Sequence, residues 1–293
     1  MAMHGDSFDS GRMTILPARP NTDPDFSLMP ELFPPALRPH VFAFGRFVRL
    51  ADSITDNAFL SLHDKQARLS ALEGALDGAV DALWSTEARA VAASLRASLT
   101  QSGISPEHAR HILQAFQRDA EGYVAATWPE LLVYCQFAAA PIGRYMLELS
   151  GEDVVSSGRS ADALCAALRI LKQLRDTEDP TVRYNRLCIP RRFLEDALIT
   201  PAHLRAATAK GQTRAVLDRV LDGVDQLLLQ AAPLPRLLRR RGLVVHTAIV
   251  LCRARKLVAR FRRLDPLRER VGLTAWQRTL CRWYGTLRGM VRC

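Results

Sequence analysis

Apolar residues recur at helical spacing through most of this chain, and this periodicity constrains the fold more than any other feature. One apolar stripe is formed by five residues that lie three or four positions apart, namely Val41, Phe44, Phe47, Val48 and Ala51. Similar patterns predict further helices over residues 67–83, 87–99, 108–124, 128–150, 161–179, 212–230, 243–261 and 274–290. Because β-branched alternation and Asn-Gly hairpin signals are missing, we expect an all-α protein.

The domain organisation follows from the same patterns. Residues 1–28 are polar and rich in Pro, Asp, Ser and Asn, so we expect a flexible leader there. No linker interrupts the helical patterns between residues 41 and 290, which predicts a single all-α domain over residues 29–293. A scaffold of helical repeats is the alternative, but such chains carry a visible period.

The charge balance of the chain favours anionic partners. Forty Lys and Arg residues face thirty Asp and Glu residues, which gives a formal net charge of +10. Such a balance attracts phosphates, acidic lipid surfaces or nucleic acid. Basic residues are not interleaved with aromatic ones, so we expect no nucleic-acid partner. The C-terminal third is very rich in arginine, which predicts either a solvated face or attraction to anionic lipid headgroups.

The cysteines and the N-terminus indicate a compartment. Six cysteines are scattered singly, without Cys-x-x-Cys or zinc spacing, which is typical of reduced thiols in a cytosolic protein. No signal-peptide layout and no apolar run long enough to span a bilayer is found. We therefore expect a cytoplasmic protein that is soluble or peripherally associated with a membrane.

Two acidic segments, more than a hundred residues apart, each follow an apolar stretch with helical spacing. In the first segment Arg49, Asp52 and Asp56 lie at positions i, i+3 and i+7, on one face of a helix. A solvated helix face with an Arg–Asp pair would show the same pattern. The first segment therefore indicates a function only in combination with the second acidic segment.

The second segment repeats this arrangement with Arg169, Lys172, Asp176 and Asp179 at positions i, i+3, i+7 and i+10. A charged helix end is the structural alternative. If the two helices face one another, their carboxylates converge across an apolar cavity. That geometry suits magnesium ions bridging protein carboxylates to a substrate diphosphate, with Lys172 and Arg175 holding phosphate oxygens.

A third stretch, residues 128–144, combines small residues with an internal proline. The small residues around Pro141 predict a helix that bends and leaves space beside it. Such space would admit a long hydrocarbon, although close helix packing gives the same composition. Tyr134 in this stretch would hydrogen-bond a leaving group, face a cation or serve a structural role. His108 and His111 lack the carboxylate that would complete a zinc site.

In order and spacing, these segments resemble the squalene/phytoene synthase family over roughly residues 30 to 290. The resemblance is carried by residues 37–40, 42–56, 130–135, 140–144, 162–168, 175–176 and 186–190. Within the family, the Leu-Arg-Pro-His entry and the Tyr-Cys…Pro-Ile-Gly-Arg helix most resemble the bacterial hopanoid branch. In that branch one enzyme converts presqualene diphosphate to hydroxysqualene.

The resemblance implies an isoprenoid-synthase helical bundle around a central apolar cavity. It implies magnesium ligands at Asp52, Asp56, Asp176 and Asp179. It implies diphosphate-binding side chains at Arg49, Lys172, Arg175 and Arg186. The catalytic residues would be Asp52, Asp56, Asp176 and Tyr134, with Tyr134 near the departing group. Peripheral association with an anionic membrane is expected because the products are hydrocarbons, and contact with other isoprenoid-pathway enzymes is a further expectation.

The chain also departs from the family pattern. Ser53 replaces an adjacent aspartate of the first motif, and Pro180 replaces the closing aspartate of the second, where Asp179 would substitute. Lys172 and Arg169 align with an asparagine and a glutamine. These cations would neutralise a diphosphate partly in place of one magnesium ion, or they would accompany altered or lost catalysis.

Three functions therefore stay open. The first is loss of diphosphate from presqualene diphosphate to give hydroxysqualene or squalene. The second is head-to-head condensation of two prenyl diphosphates, as in squalene or phytoene synthases. The third is a non-catalytic homologue that binds lipids or assembles with a pathway enzyme.

Overall fold

The computed structural model describes residues 25–26, 28–79, 86–176, 188–206, 208–209 and 211–290. Within these residues the structure contains twelve α-helices: α1 (Arg38–Asp56), α2 (Leu62–Leu76), α3 (Thr86–Ser102), α4 (Glu107–Ala120), α5 (Trp128–Ala138), α6 (Ala140–Leu149), α7 (Val154–Arg175), α8 (Arg191–Asp196), α9 (Gln212–Ala231), α10 (Leu234–Leu237), α11 (Arg241–Arg263) and α12 (Ala275–Met290). Short 3-10 helices span Pro30–Leu32, Pro35–Leu37 and Pro201–Arg205. The described residues contain no strand, which confirms the predicted all-α class.

Side chains satisfy the free amide groups at the starts of several helices. The Ser61 hydroxyl accepts a hydrogen bond from the Asp64 amide at 3.1 Å and caps α2. The Asp153 carboxylate accepts from the amides of Val155 at 3.0 Å and Ser156 at 3.3 Å and caps α7. A charged cap at the N-terminus of α7 also complements the helix dipole, so the start of this long helix is well defined.

The segment predicted as one bent helix over residues 128–150 is two helices, α5 and α6. The break lies at Ala139, whose φ of −138° and ψ of −47° leave the helical region. Pro141 lacks the amide hydrogen that would continue the ladder of α5, so the chain restarts as α6.

The small residues after the break bring α6 close to α7. A Cβ atom on Gly143 would lie 2.7 Å from the Cys165 sulfur, which leaves no room for a larger residue. Of the two explanations for the small residues, close helix packing therefore holds at Gly143.

The helices form two groups joined by α4, α5 and α6. Helix α1 packs on α2, α3 and α4, whereas α7 packs on α6, α9, α5 and α11. Phe44 of α1 and Tyr145 of α6 are fully buried and stack with ring centroids 4.0 Å apart, which ties the two groups together. Among the described helices, α1 and α7 do not form an extensive direct contact with each other.

The end of the predicted leader contacts the helical domain. Asp25 is buried, and its carboxylate accepts a hydrogen bond from the Leu273 amide at 2.9 Å. Its other oxygen lies 3.4 Å from a guanidinium nitrogen of Arg278 in α12. Asp25 and Phe26 therefore pack with the domain, while residues 1–24 lie outside the described residues and the boundary at residue 28 otherwise stays a prediction. None of the described helices is long and apolar enough to cross a lipid bilayer.

Candidate functional site

The two acidic segments meet at Asp52 and Asp176. Asp52 lies one turn before the end of α1, Asp176 directly follows α7, and both side chains are half-buried. The pKa of Asp176 is raised chiefly by its burial and further by the negative charge of Asp52, against the opposing charges of Lys172, Arg175 and Arg270. Repulsion of this kind falls off with distance in a protein surrounded by salt water, so the two carboxylates lie close enough to interact, and a shared ion site between them stays a prediction.

Three cations surround this pair on the α7 side. Lys172 and Arg175 belong to the last turn of α7, and Arg270 lies in the segment between α11 and α12. All three act on Asp176 by lowering its pKa. The sequence analysis did not single out Arg270, because an exposed arginine in a connecting segment carries no local signal of function.

Arg49 provides positive charge on the α1 side. The pKa of Arg49 is lowered by partial burial and by the neighbouring charge of Arg46. An arginine with a lowered pKa still remains protonated at physiological pH. Two guanidinium groups that repel each other beside a carboxylate form a place where a polyanion would relieve the repulsion.

The first motif offers fewer ligands than the family pattern. The Ser53 hydroxyl donates a hydrogen bond to the Leu50 carbonyl at 2.7 Å, so it is committed to its own helix. Asp56 is the last residue of α1 and is exposed. The predicted ligand Asp179, the predicted phosphate contact Arg186 and the substitution at Pro180 lie outside the described residues.

Arg175 is held in the interior. Its side chain is only 4% exposed, and one of its guanidinium nitrogens lies 3.9 Å from an oxygen of Asp25. The guanidinium also lies 4.6 Å from the centre of the Phe26 ring. These contacts hold the C-terminal end of α7, and therefore also Asp176, against the N-terminal segment.

Tyr134 belongs to a buried polar cluster with Asp119 and Arg169. The Tyr134 hydroxyl donates to one Asp119 oxygen at 2.7 Å, and Arg169 donates to the other oxygen at 3.1 Å and to the Tyr134 hydroxyl. The side chains of Asp119 and Arg169 are 2% and 14% exposed. Burial alone would lower the pKa of Arg169, but Tyr134 and Asp119 raise it well above its usual value. The cluster thus joins α4, α5 and α7 around a permanent charge.

Asp119 is not among the predicted site residues, although the sequence contains a signal for it. Asp119 continues the stripe of Ile112, Ala115 and Phe116 at helical spacing, and these apolar residues are buried. An acidic residue in register with an apolar stripe predicts a buried carboxylate, and a buried carboxylate requires a partner.

Asp52 and Asp176 suit a divalent cation that takes its remaining ligands from substrate and water. Within the described residues no group of three or more metal-ligating side chains is found. Two facing carboxylates, one with a raised pKa, nevertheless match the mode in which magnesium takes one or two carboxylates and completes its shell with substrate phosphates and water. A cation between Asp52 and Asp176 would remove their repulsion.

Two cavities lie at other places in the molecule. One of about 350 Å³ is formed by the first 3-10 helices and the start of α11, and it includes Leu32, Phe33 and Gly242. Another of about 260 Å³ lies between α9, α10, α11 and α12. Neither is lined by a predicted site residue, so a substrate chamber beneath Asp52 and Asp176 stays a prediction.

Replacing Arg169 by leucine tests the buried cluster. We expect Arg169→Leu to lower the free energy of unfolding by about 3 to 5 kcal/mol, because it leaves Asp119 buried without its cation. Denaturant unfolding gives the value. Adding Asp119→Asn should recover part of the loss, because the uncompensated charge is removed. Arg192→Ala, which breaks an exposed pair with Asp196, is the control and should cost less than about 1 kcal/mol. Equal losses in Arg169→Leu and the control would contradict a buried ionic cluster.

Comparisons with known proteins agree on one family. The family model for squalene/phytoene synthase matches residues 19–277. A hydroxysqualene synthase of Sinorhizobium fredii is 32% identical over 250 residues, which cover 85% of this chain and 83% of the relative. A hydroxysqualene synthase of Rhodopseudomonas palustris is 30% identical over 251 residues, covering 86% and 84%.

The fold is shared with solved structures of such enzymes. The crystal structure of a squalene synthase from Alicyclobacillus acidocaldarius matches with a TM-score of 0.66 at 24% identity, over 80% of this chain and 86% of that one. The likeness confirms the predicted isoprenoid-synthase helical fold. With most of its length matched by the family model, the chain belongs to the squalene/phytoene synthase family.

Proposed function

We propose that this enzyme converts presqualene diphosphate to hydroxysqualene, releasing diphosphate and passing through a carbocation. The proposal rests on one observation above all: Asp176, at the end of α7, feels the charge of Asp52 from the distant helix α1 and of three neighbouring cations. The two relatives described above carry the name hydroxysqualene synthase, which supports this choice within the family.

Magnesium is the cation that we propose for the carboxylates. Asp52 and Asp176 would hold it, and Asp56 and Asp179 would add ligands. When bound, magnesium neutralises negative charge on the diphosphate and so favours its departure. In a site with few protein carboxylates, the phosphates of the substrate complete the ligand shell of magnesium.

The basic side chains of the site would bind the diphosphate. Arg49 lies one turn before Asp52 in α1 and Lys172 one turn before Asp176 in α7, and we propose that they contact phosphate oxygens, with Arg186 as a further contact. Such cations stabilise charge that grows on the leaving group as its bond to carbon breaks. We assign Arg175 a positioning role, because its contacts with Asp25 and Phe26 hold the end of α7.

Tyr134 would lie near the departing group. Its hydroxyl is polarised by Asp119 and Arg169, and this environment keeps the ring in one orientation. An apolar chamber would shield the carbocation until one water is admitted and adds its oxygen to carbon, releasing a proton. That final step distinguishes hydroxysqualene from squalene as the product.

The composition of the first motif bears on the two alternatives. Condensation of two prenyl diphosphates needs two diphosphate sites, and Ser53 supplies no carboxylate because its hydroxyl bonds to Leu50. This favours a reaction with one diphosphate. The same depletion is the argument for a non-catalytic homologue that binds lipid or a pathway enzyme, and the assays below distinguish it. Peripheral association with an anionic membrane remains part of the proposal.

Incubation of the purified protein with presqualene diphosphate and magnesium tests the reaction. In water enriched in oxygen-18, we expect release of diphosphate and a hydroxysqualene that carries the heavy isotope, both followed by mass spectrometry. In a parallel incubation that also contains a hydride donor such as a reduced nicotinamide cofactor, squalene without label would support the alternative in which hydride ends the reaction. No diphosphate release, while a working hydroxysqualene synthase succeeds in parallel, would contradict the proposal.

Asp176→Asn separates function from stability. The raised pKa means that the folded state binds this proton more tightly than the unfolded state does. The stabilisation that this bound proton gives the folded state is fully present below the usual aspartate pKa. It is lost as the pH rises through the raised pKa of Asp176. At pH 7.5 without magnesium, the neutral asparagine should therefore raise the melting temperature, while activity falls at least about 100-fold.

The control for this substitution is Asp218→Asn. Asp218 pairs with Arg214 at the surface of α9, so its loss should leave activity unchanged and should not raise the melting temperature. Full activity in Asp176→Asn would show that Asp176 takes no part in the reaction.

A further inference from the structure

The outer face of α12 is apolar although it is exposed. It carries six large side chains at helical spacing, namely Trp276, Leu280, Trp283, Tyr284, Leu287 and Met290. Trp276 and Trp283 are 68% and 65% exposed, which is unusual for the largest apolar side chain. We call these six residues the α12 strip.

The opposite face of α12 holds small residues that contact α11. Cys281, Gly285 and Gly289 are the buried residues of α12. A Cβ atom on Gly285 would lie 2.4 Å from the Ile249 side chain, and one on Gly289 would lie 2.4 Å from the Val245 side chain. This close approach fixes the rotation of α12, so the helix buries its small residues and exposes its large ones. A surface helix of a globular protein normally does the reverse.

A basic cavity opens beside the strip. The cavity of about 260 Å³ between α9, α10, α11 and α12 is lined by Arg236, Arg255 and Arg288 together with Tyr284 of the strip. All three arginines are exposed. In the part of the chain that the structure describes, none of the three forms an ion pair with a carboxylate. Leu229 and Leu251 line the same cavity, so its wall contains both cationic and apolar side chains.

We propose that the α12 strip and this arginine cavity bind the surface of an anionic phospholipid bilayer. The tryptophan and leucine side chains would enter the boundary between headgroups and acyl chains, where aromatic residues are favoured. The three arginines would contact lipid phosphates, for which the guanidinium has matching donors.

The positive charge of this face favours a bilayer over a second copy of the chain as its partner. A symmetric dimer through this face would bring two sets of three arginines together, with like charges in contact. An anionic surface instead neutralises them and also matches the net charge of +10. Binding to a bilayer would place the protein where water-insoluble molecules dissolve. The inference assigns a surface to the peripheral membrane association included in the proposed function, and it does not depend on the proposed reaction, because vesicle binding needs no turnover.

Vesicle co-sedimentation of the full chain tests the proposal. We expect binding to vesicles that contain phosphatidylglycerol and much weaker binding to vesicles of phosphatidylcholine alone. Trp276→Gln with Trp283→Gln should weaken binding at least about tenfold. Arg255→Gln with Arg288→Gln should weaken it about 30-fold, because each basic residue near an anionic surface contributes roughly fivefold.

A matched control removes the same charge elsewhere. Arg89→Gln with Arg96→Gln alters two exposed arginines of α3 and should leave vesicle binding within about twofold of the unchanged protein. Circular dichroism and melting temperature confirm that each variant is folded. In the unchanged protein, the tryptophan emission should shift to shorter wavelength with anionic vesicles, and the Trp276, Trp283 variant should lose that shift.

Three outcomes would overturn the proposal. One is equal binding to neutral and anionic vesicles. Another is loss of binding in the α3 control equal to that in the α12 variants. The third is a change of oligomeric state, measured by light scattering, when the two tryptophans are replaced while vesicle binding is unchanged, since a second copy of the chain would then cover the strip.

Discussion

The half-burial of the Asp176 carboxylate, with Asp52 near it, is the constraint on which the proposed function of this protein depends. Burial of this carboxylate, and to a smaller extent the negative charge of Asp52, raise the free energy of the folded state when Asp176 is ionised, so the remaining fold must hold it in place. The cations Lys172, Arg175 and Arg270 reduce this cost without removing it. Under the proposed function, such a site would take a polyanion that arrives with a divalent cation.

Helix α7 carries the main part of that constraint, and buried ion pairs fix it at two points. At Arg169 the helix is tied to α4 and α5 through Asp119 and Tyr134. Two turns later, at Arg175, it is tied to the N-terminal segment through Asp25. A buried charge without its partner is very costly, so each pair strongly favours one position of the helix. Asp176 follows Arg175 directly and is placed accordingly.

Much of the fold could be predicted from the sequence. The apolar stripe predicted helix α1, because helical spacing decides which side chains of one helix share a face. The proximity of Asp52 and Asp176 agrees with the two acidic segments, whereas their joint role as metal ligands stays a prediction. The break at Ala139 was harder, since Pro141 predicts a disturbance but its extent depends on how closely α6 packs on α7. Asp25 and Arg270 could not be predicted, because their roles arise from contacts between segments distant in sequence.

Helix α12 shows a second limit of sequence patterns. Its apolar residues at helical spacing predict a helix over 274–290, and they would ordinarily indicate the buried face. The structure places Gly285 and Gly289 inward instead, because their missing side chains allow α11 to approach. Which stripe of a helix faces the core depends on how well each face fits its neighbour, and no local pattern contains that information.

A double-mutant cycle on cation-dependent binding tests the central claim most directly. The affinity of inorganic diphosphate at fixed magnesium would be measured by calorimetry for the unchanged protein, Asp52→Asn, Asp176→Asn and the variant with both changes. If the two carboxylates hold one ion, either single change removes most of the affinity that depends on magnesium. The second change then adds little, with a coupling of about 1 to 3 kcal/mol. Losses that simply add, or binding that does not depend on magnesium, would contradict a shared site.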